Sequence, residues 1–149
     1  MNEIDTLFQR QEEASTEFTK EMMRLISISS GITPQAAAKV NLRLAKTVFS
    51  KWSIEILTVL YGSRFASYGE LKKALHGVSS RVLSEKLKRL EQGGLVSRSV
   101  VDSRPPRTQY SLTDDGVMVA KLGEPVFLFL GYKEGLYESS NSGSYAARP

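Results

Sequence analysis

The sequence predicts a mainly α protein with a small antiparallel β-hairpin (α+β), extended by further helices at both ends. Three observations lead there. Apolar residues recur at helical spacing through the first two thirds of the chain. A glycine-bearing turn, Leu75-His76-Gly77-Val78, separates two of those helical patterns. Beyond Gly93-Gly94 the period shortens to the alternation of strands, in two runs that flank Pro105-Pro106.

Residues 3 to 28 read as one long helix without Gly or Pro. Ile4, Phe18 and Leu25 fall on a seven-residue spacing with Gln11 in the second place, and Leu7 or Phe8, Ala14, Met22 and Ile28 fill a companion stripe. The opposite face is rich in acids, so this stripe reads as seeking a partner chain. Leu7, Phe8, Phe18, Met22 and Leu25 are its candidate dimer residues. Ser29-Ser30-Gly31 ends the helix, and Thr33-Pro34 opens another, with threonine as N-cap and proline in the first helical position. Ala36, Ala37, Val40, Leu44 and Val48 continue it. A third helix runs from Trp52 to about Tyr61, and Gly62 closes it.

Ser67 and Glu70 have the spacing of a capping box, which opens a short helix through Leu71 and Leu75 with Gly77 as C-cap. Ser79 is the N-cap of a helix that reaches Gln92. Val82, Leu83, Leu87 and Leu90 form its inner face. Ser80, Arg81, Ser84, Glu85, Lys88 and Arg89 form the outer one. Leu95–Val101 and Arg107–Leu112 are the strands. A proline has no N–H for a ladder, so Pro105 and Pro106 belong at the tip between them. Thr113-Asp114-Asp115-Gly116 caps a helix through Leu122, and Pro125 is expected to interrupt it or to begin a separate segment, Val126–Leu130. Phe127, Phe129 and Leu130 in that run are further dimer candidates. The organisation expected is a dimerising extension at 1–38, a compact domain at 39–122, an apolar dimer segment at 123–137 and a disordered tail at 138–149.

Composition narrows the function. The 149 residues suit one domain with appendages, and 41% hydrophobic with 24% charged residues is the balance of a soluble globular protein. No apolar run is long enough to span a bilayer, and the N-terminus has neither the basic nor the apolar region of a secretory signal, so a cytoplasmic location is expected. There is no cysteine and one histidine, His76. That excludes disulfides, thiolate chemistry and a histidine-based metal cluster, and no nucleophile–base set or phosphate-cradling glycine loop is present. No catalytic residue, metal or cofactor is expected, and the chain reads as something other than an enzyme. An ordered substrate or metal around Glu70, His76 or Asp114 would reverse that reading. Charge is unevenly spread: Lys39 to Arg107 holds fourteen Lys/Arg against five acids, a net of +9, while the remainder holds six against eleven, a net of −5. A basic middle between acidic flanks suits a polyanion partner.

Two helices joined by a short glycine turn and followed by a hairpin are the pattern of a winged helix-turn-helix. Residues 79 to 92 have the two faces a recognition helix needs: one apolar for anchoring, one polar for a major groove. Ser79, Ser80, Arg81, Ser84 and Glu85 are the candidate base readers, with Arg81 the natural partner for guanine. Lys51, Lys72, Lys73 and Lys88 are candidate phosphate contacts, and Arg104 and Arg107 at the stiff tip 103–107 would meet phosphate or the minor groove.

Over roughly residues 45 to 122 the string resembles the HxlR-type winged-helix transcriptional regulators, relatives of the MarR-like superfamily. The resemblance rests on Lys51–Leu57, Tyr68-Gly69-Glu70-Leu71, Val78–Leu87, Gly94–Arg98 and Pro105–Thr113, which follow that family's motifs in order. It implies a homodimer bound to a pseudo-palindromic double-stranded DNA site, with helices outside the winged core forming the interface. Ser50 stands where the family prefers Gly and Ser67 where it prefers Arg. The cysteine that some members use as a redox sensor is missing, so thiol sensing is excluded. Two matters stay open: a small-molecule effector, which no polar cluster announces, and the alternative of a winged-helix module for protein or RNA contact without sequence-specific DNA binding.

Overall fold

The computed structural model describes residues 2–29 and 33–137. The expected tail, 138–149, and the Ser30-Gly31 helix end lie outside the described residues. The elements are α1 (Glu3–Ser29), α2 (Pro34–Val48), α3 (Lys51–Ser63), β1 (Phe65–Ser67), α4 (Tyr68–Ala74), α5 (Ser80–Gln92), β2 (Val96–Val101), β3 (Arg107–Leu112) and α6 (Asp114–Lys133). Contacts divide the chain into two compact units, Pro34–Leu122 and the described residues on either side of it.

The first unit is a winged helix-turn-helix. Its core joins Ile56, Leu57 and Leu60 of α3, Leu71 of α4, Leu75 and Val78 of the turn, Leu83, Leu87 and Leu90 of α5, and Ala66, Leu95, Val96 and Tyr110 of the sheet and its entry. Val48, Trp52, Val59 and Val82 pack at its edge. Ser53, the one buried polar residue among the described residues, shares a hydrogen bond of 2.7 Å with the Ser50 hydroxyl, so its burial leaves no orphaned group.

The antiparallel sheet has the order β1-β3-β2. The register runs from Val96 opposite Leu112 to Val101 opposite Arg107, and β1 adds Phe65 opposite Ser111 through Ser67 opposite Gln109. The third strand was not expected from the sequence. It has only three residues, too few for an alternation to show, and exists because β3 offers it a free edge. Two helix ends also differ from expectation. α3 continues past Gly62 to Ser63, and Arg64, with φ of +66°, turns the chain into β1. α6 continues through Pro125 rather than breaking there. The proline withholds one donor from the carbonyl of Lys121, an exposed residue, where water can take the donor's place.

α5 ends in a Schellman turn. Gly94, at φ of +73°, lets its own N–H reach the carbonyl of Glu91 at 3.0 Å and the N–H of Leu95 reach that of Leu90 at 2.9 Å. The chain then crosses the start of α6 so closely that a Cβ on Gly116 would collide with the Leu95 carbonyl oxygen. In the other unit, the first turns of α1 meet the last turns of α6. The Phe8 ring stands edge-on to Phe129 at 5.2 Å and lies 5.7 Å from Tyr132. The Tyr132 hydroxyl donates to the Asp5 carboxylate at 3.1 Å and accepts from the Asn2 amide at 2.8 Å.

Gly116→Ala weighs a helix-propensity gain of about 1 kcal/mol against a backbone collision. We expect the collision to win, with a net destabilisation of about 1–3 kcal/mol seen as a lower urea midpoint at unchanged m-value.

Candidate nucleic-acid interface

The site is built on α4, the turn and α5. α4 starts in a closed capping box: the Ser67 hydroxyl accepts the Glu70 N–H at 3.2 Å and the Glu70 carboxylate accepts the Ser67 N–H at 2.7 Å. These bonds hold the Glu70 carboxyl below its ordinary value of 4.5, the Ser67 backbone N–H first among the causes and the Arg107 charge a lesser one. α4 ends at Ala74, and Gly77 lies beyond its end as the residue of positive φ, +86°, inside the turn. The sequence had placed Gly77 at the helix end itself. Lys72, expected on phosphate, reaches across the turn and donates to the Val78 carbonyl at 2.6 Å.

Four bonds fix α5. Ser79 caps it, its hydroxyl accepting the Val82 N–H at 3.2 Å. The Tyr68 hydroxyl donates to the Ser80 carbonyl at 2.9 Å and lies 3.2 Å from the Ser84 hydroxyl. Lys86 donates to the Ser50 hydroxyl at 3.1 Å, tying α5 to the start of α3. Held this way, α5 buries Leu83, Leu87 and Leu90 and exposes Ser79, Ser80, Arg81, Ser84, Glu85, Lys88 and Arg89 along one strip. Within the strip Glu85 pairs with Arg89 at 2.8 Å.

The remaining candidates fall in different places. Lys73 is exposed on α4. Lys51 lies 4.7 Å over its neighbour Trp52 at the start of α3. Arg104 is exposed at the tip, where the Ser103 hydroxyl donates to the Pro105 carbonyl at 2.8 Å. Arg107 opens β3 opposite Val101, so it belongs to the ladder rather than to the loop. Thr113 secures the base of this wing, accepting the Gly116 N–H at 3.0 Å and donating to the Gly94 carbonyl. Of the dimer candidates, Leu7, Phe18, Met22, Leu25, Phe127, Phe129 and Leu130 are exposed, while Phe8 is half-buried beside Phe129 and Tyr132 of its own chain. Sequence reasoning missed the structural parts of Lys72 and Lys86 and the partners that the Tyr68 hydroxyl takes, Ser80 and Ser84.

The HxlR-like helix-turn-helix family description matches residues 47–126, more than half of the chain. The chain belongs to this family. Among relatives of the HxlR-like chain, the uncharacterised HTH-type transcriptional regulator YvaP of Bacillus subtilis is 43% identical over 76 residues, which is 50% of this chain and 68% of that protein. YdzF of the same organism, named likewise, is 41% identical over 66 residues, 44% of this chain and 61% of that protein. A relative from Synechocystis, sll1512, is matched over only 49% of its length. Among solved structures, a MarR-family transcriptional regulator from Enterococcus faecalis superposes with a TM-score of 0.57 at 28% identity, covering 72% of this chain and 94% of that one. The transcriptional regulator ytfH from Salmonella typhimurium gives 0.54 at 28% identity, covering 64% and 87%. Each of these relatives is named a transcriptional regulator. No helix among the described residues is long and apolar enough to cross a membrane.

The capping box gives a pH signature. Because the native Glu70 pKa is lowered, its contribution is whole above the ordinary value of 4.5 and is lost as pH falls through the lowered native value. Thermal unfolding between about pH 6 and about pH 3 should show wild type losing more Tm than Glu70→Gln, which has no charge to lose.

Proposed function

We propose that this HxlR-like protein is a cytoplasmic, homodimeric transcriptional regulator that binds a pseudo-palindromic double-stranded DNA site. The observation that carries the reading is the α5 strip, polar and exposed along its length over three buried leucines. A helix so anchored can enter a major groove without disturbing the core. Arg81 extends from its first turns with no partner among the described residues, and it takes the guanine contact. Ser80, Ser84 and Glu85 follow along the strip, and Ser79 serves first as the cap. Lys73, Lys88 and Lys51 meet phosphate, and Arg104 at the wing tip meets phosphate or the minor groove. Lys72 and Arg107 contribute from positions already engaged within the protein.

The dimer brings the exposed apolar residues of α1 and of the second half of α6 against a second copy. Phe18 and Met22 on α1 and Phe127 and Leu130 on α6 have exposed apolar surface of the kind such an interface covers. Two α5 helices would then occupy major grooves about 34–36 Å apart, one turn of duplex. In this reading residues 1–38 and 123–137 serve assembly and 39–122 serves DNA.

Two substitutions separate base reading from phosphate contact. Arg81→Ala should relax preference at one position of each half-site by about 1–3 kcal/mol in binding to a site library. Arg104→Ala should weaken binding to all sequences alike and reduce the slope of log affinity against log salt by about 1. Uniform losses from both variants would remove Arg81 from the readers.

A further inference from the structure

The serines on the exposed strip of α5 differ in what they can offer a base. Ser79 has its oxygen engaged by the Val82 N–H and keeps its proton. Ser84 is in the opposite state, and Tyr68 puts it there. The Tyr68 hydroxyl lies 2.9 Å from the Ser80 carbonyl oxygen, and a carbonyl can only accept, so the one phenolic proton goes to Ser80. The Tyr68 oxygen is then an acceptor. Its contact of 3.2 Å with the Ser84 hydroxyl requires that Ser84 donate. A serine has one proton, and this one is used inside the protein. What remains on the exposed Ser84 oxygen is lone-pair density alone.

The Tyr68 ring is half-buried against the core, so its hydroxyl is placed by packing rather than by a mobile chain. We propose that Tyr68 fixes Ser84 as a pure hydrogen-bond acceptor, so that Ser84 selects a base presenting an amino group in the major groove. Adenine offers N6–H and cytosine N4–H, whereas guanine and thymine present only acceptors there. This deepens the DNA-reading assignment of α5 and rests on it. Tyr68 is a positioning residue, acting through the polarity of its neighbour. The sign of the preference follows from proton counting: amino over keto at the position facing Ser84.

Site selection from a randomised duplex library, with full-length wild type, Tyr68→Phe and Ser84→Ala, tests the proposal. Wild type should show one position per half-site at which A or C exceeds G or T by about fivefold, the worth of one neutral hydrogen bond. Ser84→Ala should abolish that preference at that position alone. Tyr68→Phe returns the proton to Ser84, admits G and T through their keto oxygens, and should bring the ratio below about twofold with other positions unchanged. An intact A/C preference in Tyr68→Phe, or a motif unchanged at every position in Ser84→Ala, overturns the proposal. Should Tyr68→Phe fail to fold, duplexes carrying purine in place of adenine at that position decide: wild type should lose about fivefold and Ser84→Ala nothing, and equal losses overturn it. If wild type selects no motif, the DNA-reading assignment of α5 fails as well. A motif with no Ser84-dependent position overturns this inference alone.

Discussion

Leu83, Leu87 and Leu90 bind α5 to the centre of the Pro34–Leu122 unit, and the other features of the site depend on that attachment. Each buried leucine is worth about 1.5–3 kcal/mol relative to leaving it in water. Together they set which way the helix faces. A rotation of α5 by one residue would draw a serine or charged residue into the core and push a leucine out, so the outer strip has one composition only. Lys86 on Ser50, Tyr68 on Ser80 and Lys72 across the turn then fix the position of the helix along its axis. These polar bonds contribute roughly 1 kcal/mol each and hold position rather than supply the bulk of stability.

The wing follows from the same attachment. The Schellman turn at Gly94 releases the chain from α5 directly into β2, and the contact of Leu95 with Gly116 and Thr113 closes the hairpin at its base. The free end carries Pro105 and Pro106 where the ladder has already ended, so neither withholds a needed donor. Ser103 bonds across the tip to Pro105, which keeps Arg104 on a short, ordered turn. Stiffness there lowers the entropy lost when a guanidinium is fixed on a polyanion.

The features legible in the sequence were local ones. The Ser67–Glu70 box, the Ser79 cap, the Gly93-Gly94 stop and the inner and outer faces of α5 all express contacts within four residues, which spacing encodes directly. The bonds that sequence reasoning missed join residues far apart: Lys86 to Ser50 and Tyr68 to Ser84 have no periodic trace. β1 escaped because three residues cannot display a period. Pro125 misled because an interior proline commonly kinks or breaks a helix, whereas here α6 runs on past it and the Lys121 carbonyl that loses its donor is exposed to water. The bond of Lys72, a candidate phosphate contact, to the Val78 carbonyl was not legible either, because a lysine that folds back onto a carbonyl looks, in sequence, like one that does not.

In the proposed complex the α5 strip reads DNA from the major groove while the wing stays outside it. Methylation interference on a selected duplex tests this most directly, because guanine N7 lies in the major groove and adenine N3 in the minor. N7 methylation should block binding in two patches about one helical turn apart, both lost in Arg81→Ala. Interference confined to adenine N3, or none at guanine N7, would contradict it.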